Sequence, residues 1–244
     1  MDHVPTRLAG QALATIFAGE GVTHVIFILD RSGSMSGKEP DVIGGFNSYI
    51  DTLRESDDGD VGVRYLRFDN ALELVWNDLP VADVPRMTHE HYQVRGNTAL
   101  LDAVGMTVSS VKDDPQHQYI VITNTDGEEN ASHEWTAERV RILIAEHEGE
   151  GQLDVRLLRR GRRRLGGGGA VWLRGGVSGV VRPGQYKDAF LAKARVSNVM
   201  RKSKMRSTRD FARATRAVMD NPDVSDNAVE EMLKSDGATD RGNG

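Results

Sequence analysis

The stretch Phe27-Ile28-Leu29-Asp30-Arg31-Ser32-Gly33-Ser34-Met35-Ser36 decides the fold of this 244-residue chain. The residues before Asp30 form a continuous apolar run, which is typical of a strand buried on both faces of a parallel sheet. Asp30, Ser32 and Ser34 then follow at every second position through a turn that contains Gly33. Three oxygen-bearing side chains at the end of a buried strand can converge on one point, and Mg²⁺ prefers oxygen ligands. The sequence therefore predicts a magnesium site above this strand.

Composition favours one domain with extensions. The chain has no cysteine, which excludes disulfides and thiolate metal sites. Its length suffices for one sizeable hydrophobic core. The first ten residues lack a long apolar segment, and no apolar run reaches the length that a bilayer requires. We therefore expect a cytoplasmic protein with no signal peptide and no membrane contact.

Apolar periodicity in the rest of the chain predicts alternating strands and helices. Strands are expected at 24–29, 61–68, 71–76 and 119–122, and helices at 41–53, 98–111 and 132–148. The short polar turn between the second and third strands predicts a hairpin. This order indicates an α/β fold, a doubly wound and mostly parallel sheet with one antiparallel edge hairpin. Such sheets bind ligands at the carboxyl ends of their strands.

The chain divides into four regions. We predict an N-terminal helix in residues 1–20, the α/β domain over 21–185, a C-terminal helical extension over 186–234 and a disordered tail over 235–244. Apolar residues recur at helical spacing in the extension, whereas the tail has almost none.

Residues 152–182 are rich in arginine and glycine, and no helix or strand period fits them. From Gln152 to Arg216 the chain has 18 lysines and arginines against three aspartates. One interpretation is a basic, disordered arm that binds nucleic acid. Another is a stretch translated out of frame, because permitted codons read one base later encode a strand and a helix former. On that hypothesis the chain lacks one core strand and one covering helix, and nucleic acid is not the partner.

Two further segments place oxygen ligands at the same predicted edge of the sheet. Thr98 stands at the start of a predicted helix, and Asp126 follows the second buried strand. Taken singly, each motif has an ordinary explanation as a helix cap or a turn. Together and in this order, Asp30, Ser32, Ser34, Thr98 and Asp126 resemble the metal-ion-dependent adhesion site of von Willebrand factor type A domains. That site consists of Asp-x-Ser-x-Ser, a lone Thr and a lone Asp.

The resemblance extends over residues 21–148 and is closest to bacterial and phage stand-alone members of that family. It rests on Asp30-Arg31-Ser32-Gly33-Ser34-Met35, Gly45-Phe46-Asn47 and Thr125-Asp126-Gly127-Glu128-Glu129-Asn130.

The resemblance also implies a set of metal ligands. Ser32, Ser34 and Thr98 would bind Mg²⁺, or alternatively Mn²⁺, through their hydroxyls, and Asp30 and Asp126 directly or through water. Five such ligands leave one octahedral position open. The family fills that position with an acidic side chain of a partner protein. Glu128, Glu129 and Glu134 are expected to line the rim or to favour the N-terminus of the following helix.

These residues predict a Mg²⁺-dependent protein-binding module that is not an enzyme, since no base and nucleophile pair accompanies Asp30. By the same resemblance, an ATPase of the AAA+ class is a candidate partner. One alternative is a Mg²⁺-dependent phosphohydrolase, which would need a second acid where Ser32 stands and a catalytic lysine. The other is nucleic-acid binding through the Arg/Gly-rich segment, which would show a steep salt dependence.

Overall fold

The computed structural model describes residues 22–56, 60–111, 114, 117–126, 129–149, 153–159, 179–180, 186–202 and 211–234. The strands are β1 (Val22–Asp30), β2 (Val61–Phe68), β3 (Leu72–Pro80), β4 (His117–Thr125), β5 (Leu153–Arg159) and β6 (Gly179–Val180). The α-helices are α1 (Glu39–Glu55), α2 (Leu100–Ser109), α3 (Ala137–Gly149), α4 (Tyr186–Lys202), α5 (Phe211–Asp220) and α6 (Asp226–Lys234). The predicted helix in 1–20 and the predicted tail lie outside the described residues.

The strands form one sheet in the order β3-β2-β1-β4-β5-β6. β3 is antiparallel to β2, and the other neighbouring pairs are parallel. All nine residues of β1 are buried, as the continuous apolar run predicted. The register places Asp30 beside Phe68 of β2 and Leu29 beside Asn124 of β4. The predicted doubly wound α/β fold with an antiparallel edge hairpin is confirmed, and the ends of β1 and β4 meet at one edge.

Strand β5 corrects the prediction that residues 152–182 supply no core strand. Its backbone pairs in parallel with β4 over seven positions, from Tyr119 beside Leu153 to Thr125 beside Arg159. The sequence does carry a strand signal here, since Leu153, Val155 and Leu157 alternate with Asp154 and Arg156. The high arginine content obscured this alternation. The expressed chain therefore contains the strand whose loss the out-of-frame hypothesis predicted.

Alternate residues of β1 belong to two cores on opposite faces of the sheet. On one face, the ring of Phe27 packs against Phe46 and Tyr49 of α1, with ring centroids 4.7 and 5.1 Å apart. On the other face, Ile26 and Ile28 share a core with buried residues of α2 and α3. Burial on both faces explains why β1 is apolar throughout rather than alternating.

The C-terminal helical extension packs on the α1 face of the domain. Phe190 of α4 belongs to the same core as Phe27, and the hydroxyl of Tyr49 lies 2.9 Å from that of Ser197. Residues of α4, α5 and α6 enclose a smaller core of their own. Among the described helices, none is long and apolar enough to cross a membrane.

Two helices begin later than predicted. α2 starts at Leu100, two residues after Thr98, and α3 starts at Ala137, five residues after Ser132. The residues that precede each helix instead form hydrogen bonds between the two segments, and these bonds help to build the candidate site.

Candidate functional site

A continuous chain of hydrogen bonds joins four of the five predicted ligands at the carboxyl edge of the sheet. The amide of Ser32 donates to Asp30 Oδ1 at 2.7 Å. The hydroxyls of Ser32 and Ser34 lie 3.0 Å apart. The Ser34 hydroxyl donates to Asp126 Oδ1 at 2.7 Å. The structure therefore brings Asp30, Ser32, Ser34 and Asp126 together, although Asp126 is separated from Ser34 by 92 residues.

Asp30 is fully buried at the end of β1. Its Oδ2 accepts a hydrogen bond from the hydroxyl of Thr125, and its carbonyl accepts one from Tyr92. Burial raises the pKa of Asp30, while the hydrogen bonds from Thr125 and Ser32 act in the opposite direction. An ionised carboxylate in this position is costly unless a positive charge accompanies it.

The donor set suits a hard divalent cation. It consists of two carboxylates and the hydroxyls of two serines, and oxygen ligands of this kind hold Mg²⁺ or Mn²⁺. Within the described ranges, no group of three or more His, Asp or Glu side chains could hold a metal ion. A metal ion at this edge would therefore need the serine hydroxyls as ligands beside the two carboxylates.

Thr98 is buried on a loop that contacts both neighbouring segments through its backbone. Two residues earlier, the carbonyl of Gly96 accepts a hydrogen bond from the amide of Gly33 at 3.0 Å. The amide of Arg95 donates to the carbonyl of Arg31 at 2.6 Å. Gly96 adopts a φ of 74°, a left-handed conformation that favours glycine. These contacts place the Thr98 loop directly beside the loop that carries Ser32 and Ser34.

The β2–β3 turn holds the Thr98 loop from the other side. The carbonyl of Asp69 accepts a hydrogen bond from the amide of Ala99 at 2.9 Å. The Oδ2 atom of Asp69 accepts two more, from Nε of Arg95 at 2.7 Å and from Nε of Arg31 at 3.1 Å. Burial disfavours the charged form of Asp69. Hydrogen bonds from Arg95 and the amide of Ala71, with the charge of Arg31, nevertheless hold its pKa below the usual value. Asp69 is therefore an ionised anchor for two loops of the site.

Glu129 caps α2, the helix that precedes it. Its Oε2 accepts hydrogen bonds from the amide of Leu101 in α2 at 2.9 Å and from the hydroxyl of Ser132 at 2.7 Å. Its Oε1 accepts hydrogen bonds from the amides of Ala131 and Ser132 at 3.0 and 2.7 Å. The expectation that Glu129 favours the following helix is therefore wrong. Glu128 lies outside the described residues, and Glu134 is exposed beyond this cap.

Asp102 of α2 completes the exchange with the segment after β4. Its carboxylate accepts the amides of His133, Glu134 and Trp135 at 2.8, 3.0 and 2.8 Å. Side chains from each segment therefore satisfy backbone donors of the other, and α3 starts after these residues, at Ala137. This reciprocal capping couples the start of α2 to the segment that carries Asp126.

Three residues that hold the site together were not predicted from the sequence. Thr125 donates to Asp30, Asn130 exchanges hydrogen bonds with Thr98, and the ammonium of Lys38 forms an ion pair with Asp126. Thr125 and Asn130 lie within a segment that the motif had singled out, so their proximity to the site was readable. Lys38 had no such signal beyond its position four residues after Ser34.

No protein-family model and no curated protein matches the sequence. Solved structures similar to this one include a von Willebrand factor type A protein from Catenulispora acidiphila, with a TM-score of 0.52 and 18% identity over 79% of this chain and 43% of that chain. Another is the ArnB paralog VWA2 from Sulfolobus acidocaldarius, with a TM-score of 0.41 and 14% identity over 59% of this chain and 36% of that chain. A third is the vWF domain of the type V pili tip protein Mfa5 from Porphyromonas gingivalis, with a TM-score of 0.34 and 12% identity over 45% of this chain and 39% of that chain. The chain thus spans less than half the length of each. The first likeness shows that the chain has the von Willebrand factor type A fold.

Proposed function

We propose that this chain, which has the von Willebrand factor type A fold, is a Mg²⁺-dependent protein-binding module and not an enzyme. The observation that carries the proposal is the hydrogen-bonded series from Asp30 through Ser32 and Ser34 to Asp126. It gathers hard oxygen donors from two distant segments at the edge where α/β sheets bind ligands. Mn²⁺ is the alternative ion, because it accepts the same donors.

In this proposal each residue has a separate task. Ser32, Ser34 and Thr98 offer hydroxyl oxygens, and Asp30 and Asp126 supply negative charge directly or through water. The ion, when bound, would link these carboxylates to an Asp or Glu of a partner protein, which takes the remaining coordination position. An ATPase of the AAA+ class is one candidate partner. A cytoplasmic location remains a prediction from composition.

The burial of Asp30 favours binding over phosphoryl transfer. A phosphohydrolase of the alternative class would use this carboxylate as its nucleophile. Here Asp30 is fully buried, and both of its carboxylate oxygens accept hydrogen bonds, from Ser32 and Thr125. The residue two positions on is a serine rather than the second acid that such an enzyme needs. These observations support a role for Asp30 in holding charge in the site rather than in attacking a substrate.

A metal titration followed by thermal unfolding tests the first half of the proposal. Mg²⁺ should raise the midpoint of unfolding in a saturable way, because an ion that binds the folded state alone stabilises it. EDTA should reverse the effect, and Asp126→Ala should abolish it. Glu134→Gln, at an exposed position beyond the Glu129 cap, is the control and should respond as the wild type does. A wild-type chain that unfolds identically with Mg²⁺, Mn²⁺ and EDTA would contradict the proposal.

A peptide selection tests the second half. Displayed random peptides are selected on the immobilised chain in Mg²⁺ and eluted with EDTA. The eluted pool should contain an Asp or Glu at one shared position, and its members should not bind Asp126→Ala. Peptides that bind equally well in EDTA would count against a metal bridge.

A further inference from the structure

Lys38 presents a positive charge to the carboxylate that the proposed metal site needs. Its Nζ forms an ion pair with Asp126 Oδ2 and donates a hydrogen bond to the carbonyl of Ser34. Asp126 Oδ1 accepts the hydroxyl of Ser34 at 2.7 Å. The side chain of Asp126 is 6% exposed and that of Lys38 is 16% exposed, so water screens this pair poorly. Both oxygens of Asp126 thus have partners, and one of these partners is a cation.

The local backbone directs Lys38 toward this position. Gly37 adopts a φ of 79°, a left-handed backbone conformation that favours glycine. A Cβ at this position would meet nothing within 4 Å, so a steric clash is not the reason for the glycine. The amide of Lys38 donates to the carbonyl of Met35 at 3.1 Å, which closes the turn after the serines. The turn therefore returns the chain so that Lys38 lies beside the serine loop.

The position of Lys38 at the N-terminus of α1 argues against a role in helix stability. Lys38 is the residue before the first turn of α1. A positive charge at a helix N-terminus is unfavourable, because the helix dipole is positive there. Its pairing with Asp126 compensates for that cost. The favourable interaction of Lys38 is thus with the site and not with its own helix.

We propose that Lys38 is an affinity-determining residue of the metal site, whose ammonium group competes with the divalent ion for the carboxylate of Asp126. The inference rests on the proposed function. Two cations that contact one carboxylate repel each other, so a bound ion must displace Lys38 from Asp126 or tolerate the repulsion. Lys38 therefore lowers the affinity for the ion. It also holds Asp126 against the serine loop in the absence of added divalent ions.

Calorimetric titration of the full chain with MgCl₂ tests this role. Lys38→Met removes the charge and keeps a side chain of similar length. It should bind Mg²⁺ about tenfold more tightly, or more, because a nearby like charge is removed. Lys234→Met is the matched control, since Lys234 pairs with Glu230 at 2.6 Å within α6 and should leave the affinity unchanged. Lys38→Arg keeps the charge and should bind Mg²⁺ no more tightly than the wild type.

A second readout follows the fold without any added metal ion. In EDTA, Lys38→Met should unfold at a lower temperature than Lys234→Met, because Asp126 loses its cationic partner. Circular dichroism of each variant verifies that it is folded before titration.

The outcomes separate the two proposals. If the wild type binds Mg²⁺ and Lys38→Met binds it equally or less tightly, the role of Lys38 is wrong and the metal site stands. If neither chain binds Mg²⁺ or Mn²⁺, both proposals fail. If Lys38→Met alone binds, competition by Lys38 is supported, and the proposal that the natural chain is Mg²⁺-dependent fails.

Discussion

The amide of Thr98 donates a hydrogen bond to Oδ1 of Asn130 at 2.9 Å, and the amide of Asn130 donates to the carbonyl of Thr98 at 3.1 Å. This exchange joins two loops that are 32 residues apart in the chain. One loop carries the predicted ligand Thr98, and the other begins with Asp126. The position of Thr98 therefore depends on the segment that follows β4, so that a change in one loop should affect the other.

Asn130→Ala should weaken Mg²⁺ binding while leaving the fold intact. The substitution removes the acceptor for the amide of Thr98, but Asn130 is exposed, so the free energy of unfolding should fall by only about 1 kcal/mol. Calorimetric titration measures the affinity, and urea unfolding measures the stability. Asn97→Ala is the control: Asn97 is also exposed on the Thr98 loop, and its backbone amide, which the substitution keeps, donates to Oδ1 of Asn70 at 2.9 Å. Equal affinities for the two variants would mean that Asn130 does not position Thr98.

Asp30→Asn should abolish the response to Mg²⁺ without destabilising the chain. Because burial raises the pKa of Asp30, its ionised form costs stability at neutral pH, and a neutral amide avoids that cost. In EDTA the variant should therefore unfold at the wild-type temperature or above it. With Mg²⁺ the wild type should gain stability and the variant should not. Asp83→Asn, at an exposed position in the turn after β3, is the control and should keep the Mg²⁺ response. A variant that unfolds far below the wild type in EDTA would show that Asp30 is primarily structural.

The candidate site was readable from the sequence where its chemistry is local. Asp30, Ser32 and Ser34 lie within five residues of chain after a strand whose apolar run is unmistakable. Asp126 follows the second such strand, and parallel neighbours bring their carboxyl ends together. Strand β5 was not predicted because its arginines obscure the alternation of apolar and polar residues, whereas backbone pairing requires only that the chain be extended.

The contacts that position the site could not be read from the sequence. Glu129 and Asp102 bind backbone amides of each other's segments, and no periodicity predicts such partners. The same holds for Lys38, whose charge meets Asp126 across 88 residues of chain only because Gly37 turns the backbone. Hydrophobic patterning fixes which elements form the layers, whereas polar contacts between loops depend on the finished arrangement of those layers.

Acid should destabilise the chain through Asp78, at the opposite edge of the sheet. Asp78 Oδ1 lies 3.0 Å from Nδ1 of His24, and its Oδ2 pairs with Arg64. Although burial acts in the other direction, the hydrogen bond to His24 and the charge of Arg64 hold the pKa of Asp78 below its ordinary value of 3.8. A carboxyl with a lowered native pKa contributes stability above the unfolded pKa. That contribution is lost as the pH falls from about 5 through the native pKa.

Asp78→Asn isolates this contribution. Asp78 adopts a φ of 47°, a conformation that asparagine tolerates, so the backbone should be kept. The variant should be less stable at pH 7, because Arg64 and His24 lose the charge of their partner, and its stability should decline less between pH 5 and pH 3. Urea unfolding at several pH values measures both effects. Parallel acid profiles for the two chains would exclude Asp78 as a source of the acid sensitivity.

Two adjacent glycines of α1 should respond in opposite directions to alanine. Glycine in a helix interior lowers the free energy of unfolding by about 0.5–1 kcal/mol relative to alanine. A Cβ on Gly44 would meet nothing within 4 Å, so Gly44→Ala should stabilise the chain by about that amount. A Cβ on Gly45 would lie 2.5 Å from the ring of Phe190 in α4. The ring is fully buried and cannot move freely, so Gly45→Ala should destabilise the chain by about 1–3 kcal/mol. Urea unfolding of both variants measures the difference. Stabilisation by both substitutions would mean that α4 does not pack on α1 as closely as the structure shows.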